Sequence, residues 1–401
     1  MYAGSGTGCT TMGLRDRTAS ISFLLLVVSG TVSPVLAGYA AFVLWSETAT
    51  EGTRSTGAKP EILDHRAYTF LPVVRRRRME YTTFGSTGVT VSELCLGCMS
   101  FGTDWDGWTL DREESRELIE RAIELGINFF DTANVYSYGE SEEILGEVLS
   151  EYDRDEFVVA TKVYGQMDED DPNSGGLSRK TVEQELDASL DRLGMDTVDL
   201  YQIHRWDDET PIEQTMRALD DAVRRGKMRS LGASSMWAHQ FAEALHASES
   251  LGLDRFVSMQ NLYNLAYREE EREMLPLCEK EDIAVMPWSP LGAGFLTRPH
   301  EEFDATTRGE HESEHDRGYT RGGGPEINER VQELADEKGV KMAQIAMAWQ
   351  FEKSWVTTPI LGTSSVEHLE DAVEALDIDL SESDVAYLEG PYEPVPVSGH
   401  E

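Results

Sequence analysis

The chain has 401 residues, 40% of them hydrophobic, and a formal net charge of −39. That is long enough for one large α/β domain or two ordinary ones, and apolar enough to exclude global disorder. The negative excess argues against nucleic acid or an anionic membrane surface as partner of the main domain, and it suits a salt-rich, halophilic-type cytosol in which screening relieves self-repulsion.

The charge is unevenly placed. Residues 1–78 hold nine Lys/Arg and five Asp/Glu, a balance of +4, so the remaining 323 residues carry −43. Thr18 to Ser46 contains no charged residue and follows Arg15 and Arg17. It is long enough to span a bilayer, yet Gly30, Pro34 and Gly38 interrupt it. Ala37 and Ala40 also fit an over-long signal peptide. The favoured expectation is a disordered or upstream, non-functional extension, with a natural domain start at Met79 after the basic run Arg75–Arg78. The protein is then cytoplasmic, becoming membrane-anchored only if 18–46 is a genuine anchor, and no catalytic residue lies before Met79.

From Met79 the pattern becomes regular. Tyr81–Phe84, a Gly-Ser-Thr-Gly turn and Val89–Ser92 predict a hairpin. Eight apolar runs follow: Glu93–Gly97, Ile127–Phe130, Phe157–Ala160, Val198–Ile203, Met228–Gly232, Phe256–Met259, Ile283–Met286 and Thr358–Leu361. Amphipathic helical patterns fill the gaps, at Arg112–Leu125 after an Asp111 cap, Ser141–Ser150, Ser178–Leu193, Ile212–Arg225 before Gly226, His239–Leu251 before Gly252, Glu269–Glu279, Ile327–Lys338 before Gly339, and Met342–Phe351. The alternation predicts an α/β fold, a (β/α)₈ TIM barrel with the N-terminal β-hairpin at the barrel bottom. No G-x-G-x-x-G follows the first run, which disfavours a doubly wound sheet.

In such a barrel the chemistry sits where the strands end. The second run ends at Asp131, with Tyr136 on the loop beyond; the third ends in Ala160-Thr-Lys162; the fourth in Gln202-Ile-His204. The fifth ends at Ser234 and Ser235, the sixth at Gln260-Asn261, the seventh at Pro287-Trp288-Ser289 and the eighth at Gly362-Thr363. Singly, His204 reads as a core histidine and Lys162 as a snorkelling lysine; together on one rim they read as a site. A phenol is a poor acid near neutrality, and an ammonium beside it favours the phenolate. Lys162, kept charged by Asp131, therefore activates Tyr136, while His204 orients the same substrate oxygen, a set suited to general-acid catalysis on a carbonyl. A glycosidase carboxylate pair and a serine nucleophile elbow are both missing here. The Cys95-x-x-Cys98 pair lies among apolar residues and reads as buried strand, with no second pair to make a zinc site.

The motifs Asp131-Thr-Ala-Asn-Val-Tyr136, Ala160-Thr-Lys162, Asp199-Leu-Tyr-Gln-Ile-His204 and Gly226–Ser235 resemble those of the aldo-keto reductase superfamily, and the likeness covers essentially all of 79–401. Pro287–Gly292 and Pro359–Gly362 are similar to the branch related to potassium-channel β subunits. The resemblance implies a catalytic tetrad of Asp131, Tyr136, Lys162 and His204. It implies NADP(H), with NAD as the alternative. Ser234, Ser235 and Gln260 would stand at the nicotinamide carboxamide and Trp288 against the ring. Ser289, Leu291 and Gly292 would line the pyrophosphate, with Arg298 at the phosphates. Gly362, Thr363, Ser365, His368 and Asp371 would face the adenosine end. Three positions depart from the common pattern: Ser235 stands in place of Asn, His368 in place of Gln or Arg, and Asp371-Ala372 in place of Glu-Asn. Trp105, Trp108 and Trp206 either wall the substrate pocket or simply pack. Residues 299–324, polar and Gly-rich, read equally as a surface loop or as a cover over bound cofactor.

The expected function is NAD(P)H-dependent hydride transfer to a small aldehyde or ketone, with Tyr136 as general acid. The alternative is a cofactor-occupied redox sensor with little turnover. No metal is expected; the substrate and the oligomeric state are not legible.

Overall fold

A computed structural model describes residues 79–103, 108–305 and 318–400. The N-terminal extension with its uncharged segment 18–46, Trp105, and the middle of the 299–324 stretch lie outside the described residues.

The hairpin forms as the turn chemistry requires. Strand β1 (Tyr81–Thr83) pairs antiparallel with β2 (Thr90–Ser92), and Gly88 closes the turn in the left-handed region at φ 73°. Then come β3 (Cys95–Gly97), α1 (Arg112–Glu124), β4 (Phe129–Asp131), α2 (Glu140–Leu149), β5 (Val158–Val163), α3 (Arg179–Leu193), β6 (Val198–Ile203), α4 (Ile212–Arg224), β7 (Met228–Ser234), α5 (Ala238–Leu251), β8 (Phe256–Gln260), α6 (Met274–Glu281), β9 (Ala284–Val285), α7 (Gly324–Lys338), α8 (Met342–Phe351), β10 (Ile360–Gly362), α9 (Val366–Glu374) and α10 (Glu382–Glu389). The last two helices had no counterpart among the sequence-based expectations.

The sheet has eight strands, each paired parallel to the next, in the order β10-β3-β4-β5-β6-β7-β8-β9. It closes on itself, because Thr358 N–H donates to Val285 O at 3.3 Å and Ile360 N–H to Pro287 O at 2.8 Å. This is the (β/α)₈ barrel.

Two apolar layers hold it. The large one lies between barrel and helices. The small one fills the barrel, built from Cys95, Phe129, Val158, Ala160, Leu200, Ala284, Met286 and Ile360. Phe84 and Val91 of the hairpin join it, with the Phe84 and Phe129 rings edge to face at 5.4 Å. Gly85 sits so close to Val257, Asp282 and Ala284 that a side chain there would meet their backbone. The hairpin thus plugs the barrel bottom, where β8 and β9 begin.

Side chains alternate across a strand, so the inward set can be read in steps of two. Phe129 and Asp131 point inward on β4, Val158, Ala160 and Lys162 on β5, Leu200 and Gln202 on β6, then His204 just beyond. Apolar residues plug the lower barrel, and ionisable ones end the same faces at the top. Among the described residues, no helix is long and apolar enough to cross a membrane.

Candidate active site

The centre of the rim is a buried ammonium. Lys162 is fully buried, and its Nζ donates to Asp131 Oδ1 at 2.5 Å, to Thr132 O at 2.8 Å and to the Tyr136 hydroxyl at 3.2 Å. Three donors meet three acceptors, so the charge is fully solvated by the protein. The imidazole of His204 packs edge to face against the Tyr136 ring, centroids 5.9 Å apart. All four side chains of the sequence-based tetrad stand at one mouth.

Their electrostatics follow from burial and contact. Burial pushes Lys162 down, but Asp131 and Tyr136 outweigh it and hold the ammonium above the ordinary lysine range. Burial pushes the Tyr136 phenol up and Lys162 pulls it down; the net is a pKa above the ordinary phenol value. The lysine therefore moderates the cost of the phenolate without making it the resting form, and Tyr136 rests as a proton donor. Burial, with Lys162 and Arg205 adding to it, holds His204 well below the usual histidine range. The imidazole is neutral near pH 7.

The Tyr136 loop is rigidly seated. Ser137 and Tyr138 both adopt left-handed backbone, at φ 47° and 49°, ahead of Gly139 at 95°. Two consecutive non-glycine residues in that region are strained, and the surroundings must hold them. Ser137 Oγ donates to Phe101 O at 2.9 Å, and Ser141 Oγ to Cys98 O at 2.8 Å. Glu142, fully buried on α2, accepts from Thr161 and from Arg192 Nε, the latter at 2.6 Å.

Asp131 carries more than the lysine. Its Oδ2 accepts from Gln202 Nε2 at 2.8 Å and from Gln260 Nε2 at 2.9 Å. Gln260 Nε2 also reaches Gln202 Oε1, at 3.2 Å. Gln202 lies one alternation below His204, and the sequence motifs assign it no role. Gly232 makes room for it: a side chain there would sit 2.7 Å from Gln202 Cγ. Gln260, expected at the nicotinamide carboxamide, is turned toward Asp131.

The other expected cofactor residues line the same rim. Ser234 Oγ donates to Gln260 O at 2.8 Å, and Ser235, at φ 51°, accepts the Trp288 indole N–H on its Oγ at 3.1 Å. Ser289, Gly292, Ala293 and Gly294 all adopt positive φ, which turns the stretch after Trp288 into a tight chain of turns, with Leu291 within it and Arg298 at its end. Thr363 Oγ1 accepts from Ser365 N–H at 3.2 Å, and Ser365 opens α9 without capping it through its side chain. Gly362 and His368 are exposed. Asp371 is buried and bound by Lys341 Nζ at 2.7 Å, which Glu367 shares. Trp108 and Trp206 are half-buried after β3 and β6, Trp206 against the main core. The Cys95 and Cys98 thiols are buried, and burial raises both far above the ordinary thiol pKa, so they are inert. No group of three His, Cys, Asp or Glu that could hold a metal occurs among the described residues.

Comparison with known proteins agrees with this architecture. The model of the aldo/keto reductase family matches residues 93–393. A putative aryl-alcohol dehydrogenase of Schizosaccharomyces pombe is 41% identical over 349 residues, covering 80% of this chain and 97% of the relative. The versiconal hemiacetal acetate reductase of Aspergillus parasiticus is 41% identical over 345 residues, 79% of this chain and 98% of the relative. An aldo-keto reductase of Alternaria alternata is 39% identical over 362 residues, 84% of this chain and 98% of the relative. Matches of this depth span the whole barrel, and the chain belongs to the aldo/keto reductase family and is an oxidoreductase.

Proposed function

We propose that the protein reduces a small aldehyde or ketone with NADPH, Tyr136 giving the proton. The observation that carries this reading is Lys162 Nζ, which donates at once to the Asp131 carboxylate and to the Tyr136 hydroxyl. Bound nicotinamide supplies the hydride. Neutral His204 donates a hydrogen bond to the carbonyl oxygen and aims it at Tyr136. As negative charge develops on that oxygen the phenol releases its proton, and Lys162 stabilises the phenolate that remains. Asp131, held by two amides, keeps the ammonium charged and in place.

The residues present fit a dinucleotide. Trp288 offers an indole ring tied to Ser235, positive φ at Ser289 and at Gly292–Gly294 makes tight turns of the backbone after it, and Arg298 ends the stretch with a cation. A side chain built on Gly362 would meet nothing within 4 Å, so the far end of the rim is open. NADP is favoured over NAD by the family resemblance; His368 is the residue at that end that supports a 2′-phosphate, since Lys341 is already paired with Glu367 and Asp371. The name of one of these relatives, a putative aryl-alcohol dehydrogenase, puts aryl aldehydes first among substrates to try.

The test is loss of NADPH absorbance with a panel of aldehydes, alongside titrations of NADP⁺ and NAD⁺. Tyr136→Phe is expected to lower turnover by roughly 10²–10⁴-fold, the usual worth of a positioned acid, with cofactor affinity kept. Tight cofactor binding without turnover on any carbonyl would favour the redox sensor instead. The function is assigned to residues 79–401, so a chain beginning at Met79 should retain both binding and turnover.

A further inference from the structure

The last described residues of the chain form a strap across the back of the nicotinamide side of the rim. Val395 N–H donates to Glu269 Oε1 at 2.9 Å, and Ser398 bonds the Tyr267 hydroxyl through both its N–H and its carbonyl, at 3.0 and 3.2 Å. The strap ends with Gly399 and His400 against Trp288 and Glu270. Gly399, at φ 86°, lies so close that a side chain there would be 2.9 Å from Trp288 Cζ2. The His400 imidazole stands edge to face with Trp237, centroids 4.8 Å apart, and its Nε2 is 2.9 Å from Glu270 Oε1. The side chains of His400 and Glu270 are only 7% and 4% exposed.

Glu270 passes this contact on. Its Oε2 accepts from Asn261 Nδ2 at 2.7 Å, and Asn261 Oδ1 accepts the Ser235 N–H at 2.9 Å. A carboxylate can only accept and a backbone N–H can only donate, so the Asn261 amide has one orientation that satisfies both. The main-chain oxygen of Asn261 takes the Trp288 N–H at 3.0 Å, and the Trp288 indole N–H closes the circuit on Ser235 Oγ at 3.1 Å. A hydrogen-bonded chain thus runs from His400 through Glu270 and Asn261 to the backbones of Ser235 and Trp288, whose side chains bond each other.

We infer that His400 is a positioning residue for cofactor binding: it satisfies the buried Glu270 carboxylate, and through Asn261 it fixes Ser235 and the Trp288 ring for the nicotinamide. A merely packed C-terminal tail needs neither a buried acid nor an amide read at both ends. The inference rests on the reading of Trp288 and Ser235 as cofactor contacts. Without the imidazole, Glu270 loses the donor on one oxygen and turns to its neighbours for another, which releases Asn261 and with it the angle of the indole.

The experiment uses the full chain as wild type, His400→Ala, His400→Gln and Trp288→Ala, titrated with NADPH by tryptophan fluorescence and assayed with an aryl aldehyde. His400→Ala should raise the NADPH Kd and KM about tenfold, the scale of one lost hydrogen bond to a charged group. The aldehyde KM should stay within twofold, and His400→Gln, whose amide N–H can still reach Glu270, should restore most of the affinity. An NADPH Kd unchanged in His400→Ala while Trp288→Ala weakens binding would overturn the inference and leave the proposed function standing. So would a lowered melting temperature with aldehyde KM and kcat affected as much as cofactor affinity, which is the mark of a structural tail. Failure of the wild type, or indifference of Trp288→Ala, to NADPH would instead strike the cofactor reading itself.

Discussion

Asp131 shows how much a single side chain can be asked to hold. It pairs a buried ammonium and is itself bound by two amides from β6 and β8. Breaking such a pair leaves a buried charge uncompensated, which is far costlier than losing an exposed ion pair. The motifs made Asp131, Lys162 and Tyr136 legible, because each is a polar residue at an abrupt end of an apolar run. Gln202 and Glu270 were not legible: one looked like a strand residue and the other like a helix surface acid. His204 supports a prediction about pH. Its folded-state pKa lies well below the unfolded value of about 6.5, so the unfolded chain takes up a proton first as pH falls. Stability should therefore decline below about pH 6.5, by up to about 1.4 kcal/mol per pH unit, until the folded imidazole also titrates. Urea unfolding of wild type and His204→Gln at pH 7 and pH 5 checks this. The variant should lose less on acidification, and an identical loss would contradict a neutral, sheltered imidazole.

The elements differ from the periodicity reading where distant chain intervenes. Glu269–Glu279 reads as one amphipathic helix, but the structure breaks it at Glu273, where φ is −141°, and α6 restarts at Met274 with Pro276 in its first turn. Glu269 and Glu270 turn inward before that break because the C-terminal strap supplies their partners. Helix packing sets another limit. Gly146 on α2 lies against the end of α3, where an added Cβ would come within 2.3 Å of Leu193 O. An alanine there gains about 1 kcal/mol of helix propensity but forces two backbones apart, typically costing 1–3 kcal/mol. Gly146→Ala should thus lower the melting temperature by a few °C, as read by calorimetry. It should also weaken turnover, since α2 carries the Glu142 anchor of the Tyr136 loop; a raised melting temperature would mean the helices are not in contact.

For the molecule as a whole, charge decides the response to salt. With 74 Asp and Glu against 35 Lys and Arg, 39 acids remain unmatched even if every base is paired. Exposed networks such as Arg112 with Glu140, Glu143 and Glu147 are worth about 0–1 kcal/mol per pair and weaken in salt. Relief of the larger self-repulsion should outweigh that loss. The melting temperature is expected to rise between 0.1 M and 2 M KCl, and a fall would show that the ion-pair networks dominate.

The alternation of apolar runs with helical periods was enough for the barrel, its hairpin plug and the cluster of ionisable residues on its rim, because those rest on local patterns: a period of two in strands, 3.6 in helices, and a change from apolar to ionisable residues where strands end. The second oxygen of Asp131 and the inward turn of Glu270 depend on partners 71 to 130 residues apart along the chain, and the path from His400 to Trp288 begins with the longest of these contacts. Local pattern carries no information about such pairs; they exist only once the barrel has closed and the C-terminal segment has been laid against it.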